Sequence, residues 1–183
     1  MKREIILNGR IIEYELEYKK VKNINLRVTG GRVYVSLNRW ITEKTVEAFM
    51  ISKADLVLKA IDRVNNAPLI QYFTQKEIKE YILSCCEKCH PYYEKHGIKK
   101  PVIKFRKMVS QWGSCNYEKG ILTFNLNLMY APKECAEYVV HHEFTHFLVH
   151  DHSKSFYTEL EKVCPDWKTS REKLKYINVR DIK

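Results

Sequence analysis

Apolar and polar residues follow a short period at the start of this chain and a longer one afterwards. Ile11-Ile12-Glu13-Tyr14-Glu15-Leu16-Glu17-Tyr18 alternates in part, as a half-buried strand does, and short strands are expected from Ile5 to Leu37. Within that span Asn25–Thr29 and Arg32–Leu37 flank Gly30-Gly31, a strong hairpin signal because both turn residues can take positive φ. From Thr42, a good N-cap, the period lengthens into an amphipathic helix expected to reach about Val64. Asn65-Asn66-Ala67-Pro68 ends it and is the best boundary in the chain. A second helix is expected from Thr74 to Lys95, then strands at Pro101–Arg106 and Gly120–Leu126. Tyr138, Val139, Val140, Phe144, Phe147 and Leu148 then recur at helical spacing, with Pro132 in the first turn of a helix that starts near Ala131. Ser153 is placed to cap a further helix, Lys154–Val163, and a last one runs from Trp167 to Tyr176. Strands first, a small sheet later and helices last predict an α+β fold with antiparallel strands rather than a doubly wound sheet. The expected division is an N-terminal strand-and-helix region, 1–66, and a second region, 67–183.

The helix expected to be buried on much of its surface carries His142-Glu143-Phe144-Thr145-His146, an H-E-x-x-H motif. Histidines at i and i+4 leave one face of a helix a turn apart, the spacing two nitrogen ligands of a tetrahedral zinc need. Glu143, beside the first of them, can reach a water at the metal without being a ligand. Buried polar groups must be paired, and metal ligation gives these a partner. A third ligand is open to several residues. His141 lies about 100° around the helix and points elsewhere. His150 would lie about 12 Å along the axis from His142 if the helix continued, too far to share one ion. His152 follows a plausible break at His150-Asp151, so the chain can bring it back, and it is preferred. A carboxylate from Glu159, Glu161 or Asp166 is the remaining choice.

His142-Glu143-x-x-His146-Phe147-Leu148, then His152-Ser153-Lys154-x-Phe156, resembles the signature of the YgjP-like zinc metallopeptidases, relatives of the SprT-like proteases. Gln111-Trp112-Gly113-Ser114-Cys115 resembles that family's W-G-S-C element, and Asn125–Pro132 resembles its strand leading into the active helix. Cys164-Pro165-Asp166 matches the family's end, and residues from Asn23 to near Lys53 resemble its N-terminal region more loosely. The resemblance implies a zincin-like metallopeptidase domain with a small antiparallel sheet, one zinc ion, His142, His146 and His152 as ligands, and Glu143 as catalytic base. In zincin-like folds the strand before the active helix borders the cleft, so Ile121–Leu126 is expected there, with an exposed edge able to hold a peptide. Trp112 and Ser114 are candidates for lining the site; the plainer expectation is that Trp112 is a buried anchor and Gly113 a turn. Metzincins share the histidine spacing but have glycine where this chain has Val149, so their tight turn is not available here.

Composition narrows the setting. At 183 residues and 45% hydrophobic content the chain can bury a real core. No apolar run is long enough to cross a membrane, and the N-terminus has no signal-peptide core, so a cytoplasmic protein with six reduced cysteines is expected. Cys85-Cys86-x-x-Cys89-His90 sits in a helical pattern without a second C-x-x-C, and reads as core-facing thiols rather than a metal or haem site. Cys115, Cys135 and Cys164 read as packing residues. The net charge of +10 belongs to residues 1–132, since 133–183 holds 9 basic and 9 acidic residues. Such a field suits an acidic partner, with DNA the usual one, or serves solubility; the two stand about even. Lys19, Lys20, Lys22 and Arg27 are its densest cluster.

The expected function is zinc-dependent hydrolysis of a protein or peptide, with Glu143 moving the proton. Two rivals stay open. In one, a nucleic-acid-associated protein holds a structural zinc closed by Cys115 or Cys135. In the other, the same chemistry cleaves a non-peptide bond.

Overall fold

A computed structural model describes residues 1–108 and 111–177, which form two compact units: Met1–Pro68 together with Lys175–Ile177, and Leu69–Leu174.

The first unit opens with β1 (Lys2–Leu7) and β2 (Arg10–Tyr18), an antiparallel pair closed by Asn8-Gly9 at positive φ. Next come β3 (Asn25–Thr29) and β4 (Arg32–Leu37), antiparallel across Gly30-Gly31, whose φ values of 54° and 69° are those the hairpin demands. The order is β1-β2-β4-β3, and β2 and β4 run parallel. Period-2 alternation puts Leu7, Ile12, Tyr14, Leu16, Val33, Val35 and Leu37 on one buried face. Two helices cover it, α1 (Glu43–Ser52), capped by Thr42, and α2 (Ala54–Asn65), through Val46, Met50, Val57 and Ile61. The single helix expected from Thr42 to Val64 is therefore broken, at Lys53 (φ −110°, ψ 11°). The Ser52 hydroxyl donates to the Phe49 carbonyl at 2.7 Å, the back-bonding that competes with a helix's own ladder and bends it.

The second unit begins with α3 (Gln75–Glu94), started by a complete capping box between Thr74 and Glu77. Its buried face includes Ile78, Ile82, Cys85, Cys86, Cys89 and Tyr93, so the clustered thiols are packing residues. Three strands follow: β5 (Val102–Arg106), β6 (Gly113–Asn116) and β7 (Ile121–Asn125), ordered β5-β7-β6. β5 pairs with β7 in parallel and β6 with β7 antiparallel, so the sheet is mixed rather than purely antiparallel. Strand β7 is internal, and the open edge expected along Ile121–Leu126 is instead offered by β6, with Leu126 already in a 3₁₀ turn, Leu126–Tyr130. Gly-Ser-Cys-Asn has neither alternation nor strong β propensity, which hid this strand from a hydrophobicity reading. Then come α4 (Lys133–Thr145), with Pro132 as N-cap, α5 (Lys154–Val163) and α6 (Trp167–Leu174). No helix among the described residues is long and apolar enough to cross a membrane.

Candidate metal centre

Helix α4 carries the motif and is held along its length. Cys135, Ala136, Val139, Val140 and Phe144 are buried. Thr145, wholly buried, donates to the His141 carbonyl at 2.7 Å and meets the Tyr93 hydroxyl of α3 at 2.9 Å. This locks the turn that presents His142 and Glu143. His146 is the C-cap, so the helix stops directly after the second histidine.

The turn before helix α5 supplies the third. Asp151 accepts a bond from the Ser153 amide at 3.1 Å, and the turn it forms sets His152 facing His142, Nε2 to Nε2 at 3.0 Å. One ligand atom from each of His142, His146 and His152 lies within 4.8 Å of the others. Phe156, fully buried, lies under all three imidazoles at 4.6–5.0 Å between ring centroids. Nitrogens bound at about 2.0–2.1 Å to one tetrahedral zinc stand roughly 3.3 Å apart, so the pair at 3.0 Å is close to that spacing.

The outer nitrogens of two of the rings have partners. His146 Nδ1 donates to the Val149 carbonyl at 3.2 Å, which leaves its Nε2 as the acceptor, and His142 Nδ1 lies 3.4 Å from the Tyr138 hydroxyl. Burial lowers all three pKa values, His142 to about 3; His146 and His152 depress His142 further, and His152 depresses His146. Arg171 of α6, stacked over the Tyr157 and Trp167 rings at 5.6 and 5.9 Å, adds a positive charge that lowers His142 and His152 further. Three uncharged imidazoles turned on one point are what a divalent cation binds. The sequence reading missed Arg171, Phe156 and Tyr138 as parts of this surround. Arg171 carries no local signal, whereas Tyr138 and Phe156 stand four residues from His142 and His152.

Glu143, 5% exposed, has its carboxyl pushed up to about 8 by burial. Gly113 of β6 is its neighbour. A Cβ at Gly113 would lie 2.6 Å from Glu143 Oε1 and 2.7 Å from its Cγ. Gly113 is thus no turn residue; it is a strand glycine that lets β6 close onto the Glu143 side chain. Trp112 is half-buried and its carbonyl accepts from the Asn125 amide at 2.9 Å, while Ser114 pairs with Thr123 in the sheet.

The other candidates lie apart from the cluster. His141 meets the Cys89 thiol at 3.3 Å. His150 is exposed, stacks on Tyr117 at 3.7 Å and bonds the His146 carbonyl. Glu159 is taken by Lys162 and Tyr92, and Glu161 by Lys168. Among the described residues neither these carboxylates, nor Asp166, nor any cysteine joins the three histidines. The Cys135 thiol donates to the Ser170 carbonyl.

A family model described as YgjP-like, metallopeptidase domain, matches residues 65–177. No curated protein matches the chain. Among solved structures, the crystal structure of the metallopeptidase zymogen of Pyrococcus abyssi abylysin is similar at 21% identity, over 52% of this chain and 89% of that one, with a TM-score of 0.40.

Proposed function

Since that model spans most of its length, the chain belongs to the YgjP-like metallopeptidase family, and from this premise we propose that it cleaves peptide bonds with zinc held by His142, His146 and His152 and with Glu143 as general base. The observation that carries the reading is one arrangement: three neutral imidazoles converging beside a buried carboxyl whose pKa, about 8, lies near neutrality. Zinc at this position would act as a Lewis acid toward water and the scissile carbonyl. Glu143 takes the proton of the attacking water and returns it to the leaving amine. Gly113 keeps Glu143 in place by adding no side chain of its own. An extended substrate lies along the open edge of β6, pairing with its backbone. Six free cysteines, all buried or half-buried, suit a reducing compartment such as the cytoplasm.

The structural-zinc rival is less favoured. It needs a fourth protein ligand, and the cysteines weighed for it lie outside the cluster.

The test is metal analysis of the purified protein beside casein cleavage. Wild type should hold about one zinc per chain. Glu143→Gln should keep the zinc and lose turnover by several orders of magnitude. Equal activity in Glu143→Gln and wild type would end the proposal.

A further inference from the structure

The first unit leaves an apolar groove beside one edge of its sheet. β3 ends the order β1-β2-β4-β3, so only one of its sides is paired. Its register with β4 closes at Thr29↔Arg32 around a two-residue turn. In such a hairpin the closing pair is hydrogen-bonded, and so is every second pair after it, here Arg27↔Tyr34 and Asn25↔Ser36. The amides and carbonyls of Leu26 and Val28 therefore point away from β4, toward the open side.

The side chains of these two residues turn toward the helices and form one wall of a groove of about 470 Å³. The other wall is Phe49, Lys53, Leu56, Val57 and Ala60 of α1 and α2, with Leu56 64% exposed. The helices thus carry apolar surface past the last strand of the sheet they cover. A further strand would cover it and satisfy the outward groups of Leu26 and Val28 in one step.

Charge selects among occupants. Lys53, at the break between the helices, is the one charged residue in the lining. Ion pairs among this unit's described residues include Lys2–Glu13, Arg3–Glu43, Arg10–Asp62 and Lys19–Glu17. They leave Lys53 outside, together with exposed Lys20 and Lys22 on the approach to β3, and they remove Lys19 from the basic cluster read in the sequence. A nucleic acid has no backbone to match amide and carbonyl pairs at strand spacing, and its phosphates would lie against carbon.

We propose that this groove binds an extended segment of a partner protein, added to β3 as a fifth strand, with apolar side chains at alternate positions and a carboxylate beside Lys53. The site is independent of the peptidase reading, since neither zinc nor cleavage enters it.

The probe is a fluorescein-labelled synthetic peptide of alternating valine and glutamate, titrated by anisotropy with the full-length protein at low salt. Saturable binding is expected, with slowed hydrogen exchange at the Leu26 and Val28 amides. Lys53→Glu should weaken it about tenfold or more, since like charges then face each other. Val28→Pro should do the same by removing one outward donor while sparing the β4 ladder. Leu56→Asp, at a position already exposed, gives a third variant, and unchanged melting curves establish that each is folded. A valine–lysine peptide should bind at least tenfold more weakly. Equal binding by all variants, or none by wild type, overturns the proposal. Binding of a short duplex DNA instead of the peptide, lost in Lys53→Glu, would overturn it in favour of nucleic acid. Self-association abolished by Val28→Pro, without peptide binding, would overturn it in favour of a second copy of the chain.

Discussion

Gly113 of β6 stands directly against the Glu143 side chain. Adding a single methyl at Gly113 places it 2.6 Å from Glu143 Oε1, so the carboxylate has to move. Gly113→Ala should cost on the order of 1–3 kcal/mol as overpacking. Because the histidines are untouched, it should also keep zinc while lowering casein turnover by at least about tenfold, as misplaced catalytic groups do. Normal turnover in Gly113→Ala would show that Glu143 needs no such contact. The pH response of Glu143 follows from its burial. Its pKa rises from 4.5 to about 8 on folding, so between those values the native chain holds more of this proton than the unfolded one. Stability from this group is therefore complete below 4.5 and is lost as pH rises through about 8. His142, lowered to about 3, runs the other way and weakens the fold as pH falls below 6.5. Urea midpoints of metal-free wild type and Glu143→Gln share the histidine contribution, so their difference isolates the carboxyl. The variant's advantage should grow with pH to on the order of 5 kcal/mol near pH 8 and then level off. Parallel curves would refute the burial account.

At the scale of elements, the third histidine depends on how α5 begins. Ser153 makes no side-chain cap; Asp151 holds its amide instead and shapes the turn that delivers His152. Removing that support should loosen the ligand without deleting it. Asp151→Ala is expected to weaken zinc binding about tenfold, as outer partners of metal ligands commonly do, and His152→Ala to weaken it much further. His150→Ala, which loses a stack on Tyr117 at the surface, should bind zinc as wild type does. Competition with a chromophoric chelator ranks the three, and a loss in His150→Ala larger than in His152→Ala would reverse the ligand assignment. Helix α4 needs no such help, because its two histidines are fixed by the helix repeat itself and by the Thr145–Tyr93 contact behind it.

On the scale of the whole molecule, the cysteines serve packing. Cys85, Cys86, Cys89 and Cys135 are buried, and burial pushes Cys86 and Cys135 up to about 12. Cys115, pushed up to about 12 by burial and by the charge of Glu143, lies beside the site without joining the histidines. Thiols so far above neutrality hold little thiolate, the form that reacts. Native protein at about pH 8 should be alkylated slowly by iodoacetamide, while denatured protein should take up all six equivalents, counted by mass spectrometry. Fast labelling of Cys86 or Cys89 in the native state would contradict the packing role.

What the amino-acid sequence determined by itself is local. The H-E-x-x-H face, the Gly30-Gly31 hairpin, the Thr42 cap and the Thr74–Glu77 capping box all act within a few residues, where backbone geometry leaves little freedom. The start of the Lys154–Val163 helix was legible at Ser153, which takes the N-cap position although Asp151 rather than its own hydroxyl shapes the turn. Tertiary structure decided the rest. It brought His152, which the sequence favours over His150, to within 3.0 Å of His142, and packing of α5 against α4 is what fixes that approach. It made β7 an internal strand with one parallel neighbour, because strand partners are selected across the sheet and leave no mark in either strand's period. It broke the first long helix at Lys53, where the apolar spacing ran on. Above all it gave Gly113 its meaning: a glycine in a strand reads as a turn until the side chain it makes room for, Glu143, is brought against it from another element.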